Sequence, residues 1–127
     1  MRRWLAPIAL VALLSACSEV DEPAAHDVVD RFHTALNAGN WAAIDAMLTT
    51  DARRLRPGMG TARAFGNLIT RHGRYVGGEL EGITGEDGRT TLAWAARYEK
   101  GPVSELFVLR EEGGSLKIES FTDNPQP

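Results

Sequence analysis

Along residues 28–48 apolar side chains recur at helical spacing. Val28, Val29, Phe32 and Leu36 share one face, and Trp41, Ile44, Met47 and Leu48 share another. The first helix is expected to start between Asp21 and Ala24, with Pro23 early, where a missing N–H costs nothing. Gly39 should end it and Asn40 should cap the second. Thr49-Thr50-Asp51 forms a further stop-and-cap cluster, and Pro57-Gly58 with Gly60 marks a loop. A third helix is predicted from Thr61, carrying Phe65, Leu68 and Ile69 and closed by Gly73.

Beyond Gly73 the period falls to two. Tyr75 to Ile83 reads as a strand, with Gly77-Gly78 marking a bulge or bend. Gly85-Glu86-Asp87-Gly88 is a turn. Thr91 to Glu99 alternates, with Leu92, Trp94, Ala96 and Tyr98 on one side. Gly101-Pro102 turns the chain into Val103 to Arg110, which is apolar on both faces and so reads as central. Gly113-Gly114 leads into a last strand, Leu116 to Phe121. Helices followed by a run of strands predict an α+β domain: N-terminal helices packed in a curved antiparallel sheet of about four strands.

The first seventeen residues follow a different logic. Arg2 and Arg3 precede an apolar run from Trp4 to Leu14. That run is short against the roughly 20 residues a membrane span needs, but it suits the central region of an export signal. It closes on Leu14-Ser15-Ala16-Cys17, which resembles the bacterial lipobox. The small Ser15 and Ala16 suit a peptidase site, and the Cys17 thiol can be alkylated by a diacylglyceryl group. Residues 1–16 are therefore expected to be a removable signal peptide, with Cys17 the lipid-modified (palmitate-type) start of the mature chain. Cys17 is the only cysteine, so no internal disulfide can form. By resemblance to lipoproteins of two-membrane bacteria, Ser18 in place of Asp directs the protein to the outer membrane, facing the periplasm, rather than the inner membrane. The expected division is signal peptide 1–16, tether 17–25, α+β domain 26–122 and polar tail 123–127.

Two stretches of the mature chain resemble the nuclear-transport-factor-2-like (cystatin-like α+β roll) superfamily. VVDRFHTALNAGNWAAIDAMLTTDAR, residues 28–53, is similar to its opening: a helix, an Ala-Gly-Asn turn and a short helix led by an aromatic. ELFVLREEGGSLKIESF, residues 105–121, is similar to its last hairpin. The resemblance implies a sheet curled around the helices, enclosing a conical pocket that Phe32, Trp41, Trp94 and Tyr98 would line or fill. It also implies binding modules, envelope proteins and a few enzymes of the isomerase or cyclase type. For the enzyme alternative, Asp30 and His33 are the available acid/base pair, at i,i+3 on the first helix; Asp27 and Arg31 around them suggest a solvated face instead.

His26 and His33 are seven residues apart on one helix face, about 10 Å, too far to share one metal unaided. His72 is isolated, so no metal site and no cofactor are expected. The chain has 14 basic and 17 acidic residues. Residues 52–78 hold six arginines (Arg53, Arg54, Arg56, Arg63, Arg71 and Arg74) and no acid, within a domain of net negative charge. Arginine suits phosphate and carboxylate, so these six are candidate anion-binding residues, or else internal partners of the acidic segments on either side. The expected partners are the membrane through Cys17, and an envelope protein, an anionic lipid or a small apolar ligand; nucleic acid is not expected.

Overall fold

The computed structural model describes residues 20–124; the signal, Cys17 and the lipobox lie outside the described residues. Asp21 caps the first helix, α1 (Glu22–Ala38), by accepting a hydrogen bond from the Ala24 N–H at 3.0 Å. Gly39, at φ 65°, adopts the left-handed conformation that closes it. Asn40 then caps α2 (Trp41–Met47), and Thr49 caps α3 (Thr50–Arg54). The helix therefore begins inside the segment expected as tether. Ala25 is already wholly buried, because the α1 stripe that starts there packs on the sheet.

The predicted third helix is two. α4 (Gly60–Ala64) and α5 (Gly66–His72) meet at Phe65. Two observations account for the break. Phe65 turns into the core, its ring 5.1 Å from that of Phe32. Gly66 lies under Trp41, where an added Cβ would stand 3.4 Å from the indole.

Four strands follow as a simple meander: β1 (Tyr75–Glu86), β2 (Arg89–Tyr98), β3 (Gly101–Glu112) and β4 (Ser115–Asp123), antiparallel in the order β1-β2-β3-β4. The expected bulge is present, with the β1–β2 register shifting between Tyr75 and Gly77 and again between Leu80 and Gly82. A third shift lies in β4 opposite Val108 and Leu109. Such bulges bend a sheet, and this one curves over the helices. β4 extends to Asp123, so the segment expected as a tail begins as strand.

The inner faces of β2 and β3 (Leu92, Trp94 and Ala96; Val103, Phe107 and Leu109) meet Val28, Val29, Phe32 and Leu36 of α1. Phe32 sits at the centre, edge-on to Phe65 and Phe107 at 5.1 and 5.4 Å and tilted against Phe121 at 5.4 Å. Along the outer edge of β4 the chain pairs once more. Leu48 forms a parallel bridge with Ile118, and the Thr49 N–H donates to the Ile118 carbonyl at 3.0 Å. The chain then turns away into α3.

Candidate functional site

The most unusual chemistry lies inside the cone. Val103, Glu105, Phe107 and Leu109 alternate inward along β3, which puts a carboxylate among hydrophobic neighbours; Glu105 is 1% exposed. Its two oxygens are both taken. His33 Nε2 lies 2.9 Å from Oε1, and the Tyr98 hydroxyl donates to Oε2 at 2.5 Å. His33 occupies the buried stripe of α1 between Val29 and Leu36, and is 2% exposed. Its Nδ1 is buried without a hydrogen-bond partner. A bare ring nitrogen tolerates that better than an N–H would, so the geometry assigns the proton to Nε2, donated to Glu105. Burial, then the charge of Glu105 and the bond to it, push the Tyr98 hydroxyl far above the ordinary tyrosine value.

A second layer closes the cluster. The Tyr75 ring stacks on His33, with centroids 3.6 Å apart and planes within 7°. Its hydroxyl accepts from the Trp94 indole N–H at 3.1 Å. The Asn37 side chain binds the Tyr75 backbone twice, donating to its carbonyl at 2.9 Å and accepting from its N–H at 3.0 Å. Burial raises the Tyr75 hydroxyl above its ordinary value, partly offset by the Trp94 bond. Gly78 makes this arrangement possible: a Cβ there would stand 2.4 Å from Trp94 Nε1 and 2.9 Å from the Tyr75 hydroxyl.

The expected Asp30/His33 pair is not formed. Asp30 faces solvent, with its carboxylate 3.5 Å from His26 Nδ1, whereas His33 points inward to Glu105. The 3.6-residue period explains this, because i,i+3 positions diverge when one lies on the buried stripe and the other on its flank. His26 rests edge-on against Trp94 at 5.0 Å. Phe32, Trp94 and Tyr98 are buried and fill the cone, while Trp41 packs partly buried against the core. The conical space is thus occupied by side chains. In this arrangement the His33–Glu105–Tyr98 cluster can brace α1 against β2 and β3, with all three side chains shut off from solvent.

An open site lies outside the cone. A groove of about 530 Å³ runs between β4 and α3–α5. Leu48, Ala52, Phe65, Leu68, Ile118 and Phe121 give it an apolar floor. Leu55 stands at its rim, 75% exposed. Four charged side chains line it. Glu119 is held by Arg89 at 2.9 Å and Arg110 at 3.1 Å, and Asp123 by Arg71 at 2.9 Å and His72 at 3.2 Å. Burial pushes Asp123 up, but the bonds from His72 and Arg71 outweigh it and hold the carboxyl below its ordinary value. Hydrogen bonds from Arg89 likewise lower Glu119.

The six arginines divide. Arg71 serves Asp123; Arg53 reaches the Asp45 carbonyl and the Thr50 hydroxyl, each at 3.5 Å; Arg54 makes an exposed pair with Asp51 at 3.4 Å; Arg74 reaches the Asn37 carbonyl at 3.4 Å. Arg56 and Arg63 are exposed, and among the described residues neither side chain has a hydrogen bond or ion pair. Also among the described residues, no three His, Asp or Glu side chains converge as a metal set.

Buried Glu105 escaped the sequence reading, although the alternation Val103-Glu105-Phe107-Leu109 placed it inward. His33 carried the same signal, at helical spacing between Val29 and Leu36. The groove left none, because it depends on where α3 to α5 settle relative to β4.

No family model matches the chain, and no curated protein does. Among solved structures it is similar to a de novo designed protein with a curved β-sheet, at a TM-score of 0.57 and 13% identity over 80% of this chain and 99% of that one. It is similar also to a SEC-C motif containing protein from Rhodopseudomonas palustris, at 0.55 and 13% over 82% and 91%. Lower similarity joins it to an NTF2-like protein of unknown function from Burkholderia xenovorans, at 0.48 and 17% over 84% and 88%. Another from Cytophaga hutchinsonii gives 0.43 and 17% over 79% and 89%. At these identities the likeness is one of fold alone. The class of molecule is thus an α+β domain with helices under a curved, four-stranded antiparallel sheet, established by its own meander and by the first two neighbours.

Proposed function

We propose that this protein is a lipid-anchored envelope lipoprotein whose NTF2-like domain is a small binding module, and that it binds through the groove beside β4 rather than through the cone. The observation that carries this reading is the contrast between the two spaces: the cone is packed with aromatic rings around a sealed polar cluster, whereas the groove is open, apolar-floored and rimmed by Arg56. Concave apolar surfaces with a few placed polar groups are the usual form of a binding site. The anchor rests on Arg2, Arg3, the Trp4–Leu14 run and the Leu14-Ser15-Ala16-Cys17 box, and Ser18 favours the outer membrane. The isomerase-type alternative loses support for its acid/base pair, since Asp30 lies at the surface beside His26 and His33 turns inward to Glu105.

The intact mass of the protein extracted from membranes tests the anchor. A mature chain starting at Cys17 and carrying acyl groups, lost in Cys17→Ala, is the expected result; an unmodified chain of 127 residues overturns it. For the groove, the apolar dye 8-anilinonaphthalene-1-sulfonate should shift the backbone amides of Phe65, Leu68 and Phe121, and not those of Glu105 or Tyr98. Shifts confined to the cone would reverse the assignment.

A further inference from the structure

The groove is the continuation of a strand position that the protein itself begins to fill. Leu48 and Thr49 lie beside β4 as a parallel neighbour for a single bridge at Ile118, and the chain then leaves into α3. Beyond that bridge Glu119 bulges out of register, and Ser120 to Asp123 form the edge of the sheet, with no strand beside them among the described residues. Four residues of strand are about 13 Å long. The Asn124 N–H donates to the Ser104 carbonyl. By the alternation of an antiparallel ladder, Phe121 and Asp123 therefore turn their backbone groups away from β3, into the groove. An unpaired strand edge of this kind is a template for another strand.

We propose that this slot takes an extended, acidic segment of a partner protein, added to the sheet as a fifth strand next to β4. This rests on the groove being the binding surface. Backbone hydrogen bonds to the Phe121 N–H and C=O would set the register, as strand addition does generally. Alternate side chains of the segment would lie on Ala52, Phe65 and Leu68. The acidic character follows from the charges. The carboxylate of Glu119 is already neutralised by Arg89 and Arg110 and that of Asp123 by Arg71, so among the described residues Arg56 is the charged side chain lining the groove that has no partner.

The experiment uses the mature domain and the acetylated hexapeptide Asp-Val-Thr-Val-Thr-Val. Its controls are the same peptide with Lys in place of Asp, and the Asp peptide N-methylated on alternate backbone nitrogens along either edge. The acidic peptide should shift the amides of residues 119–123. It should bind about tenfold tighter than the lysine peptide, a difference of roughly 1.4 kcal/mol. N-methylation along one edge should abolish binding, and Arg56→Glu, an exposed position, should reverse the order of the two charged peptides. Equal binding of the N-methylated peptides would overturn strand addition, and equal binding of the charged pair would overturn the acidic preference. Self-association in sedimentation, with the same amides shifting as protein concentration rises, would make the occupant a second copy and overturn the partner assignment. If the apolar dye shifts the groove amides and no peptide does, the groove remains a binding site and strand addition fails; if neither does, both readings fail.

Discussion

Replacing His33 and Glu105 singly and together measures what the sealed cluster contributes. In Glu105→Leu the His33 Nε2–H and the Tyr98 hydroxyl lose their shared acceptor while both stay buried. An unsatisfied buried group costs about 1–3 kcal/mol, so this variant should lose roughly 2–6 kcal/mol. In His33→Phe the carboxylate keeps only the Tyr98 bond, and losing a hydrogen bond to a buried charged group costs about 1.5–3 kcal/mol. The double variant removes both partners and fills their space with apolar atoms, leaving only the Tyr98 hydroxyl unsatisfied, at about 1–3 kcal/mol. It should therefore be more stable than the singles predict by several kcal/mol, and no less stable than either one. Urea denaturation followed by tryptophan fluorescence gives each value, provided the slope against urea is unchanged across the four proteins. If the singles add to the double within about 0.5 kcal/mol, as independent sites do, the hydrogen bonds do not couple α1 to the sheet and the reasoning fails.

Gly78→Ala should lose about 1–3 kcal/mol, the usual cost of forcing an extra carbon into a packed site, because its Cβ falls on the Tyr75–Trp94 hydrogen bond and within 2.8 Å of the Ala95 carbonyl. A shift in the Trp94 indole N–H resonance should accompany the loss, and an unchanged resonance would refute the contact. Acid should destabilise the fold through Glu112, Glu119 and Asp123. All three carboxyls lie below their ordinary values of 4.5, 4.5 and 3.8 when folded, Glu112 through its bonds from Thr50. The unfolded chain binds protons more readily, so their contribution is complete above those ordinary values and is lost as pH falls through the folded ones. The urea midpoint should therefore drop between pH 5 and pH 3, and less so in Asp123→Asn; a flat midpoint would contradict the assignment.

Much of the fold was legible because its signals are local. Asp21, Asn40 and Thr49 each cap the helix that follows, Gly39 takes the left-handed conformation, and Gly77 marks the first bulge of β1. In sequence the third helix reads as one piece because Phe65 fits a helical period; only the tertiary contacts of Phe65 with Phe32 and of Gly66 with Trp41 show why the chain breaks there. The site was harder. Charge-bearing letters near one another, such as Asp30 and His33, suggested a pair, whereas the partner His33 takes lies 72 residues further along the chain. Pairing across that distance is set by the register of β3 against α1, which no short window of sequence contains.

The two borders of the sheet are not equivalent. β1 is interrupted by two register shifts and presents Glu79 and Glu81 to solvent, both of which discourage pairing. β4 carries a single shift, at Glu119, and from Ser120 to Asp123 it runs in unbroken register with β3. End-to-end stacking of copies into a filament would need one border of each kind to join the other, and only β4 is competent. Strand addition of the kind proposed would therefore be a terminating event: one segment docks, and the assembly has nowhere further to grow.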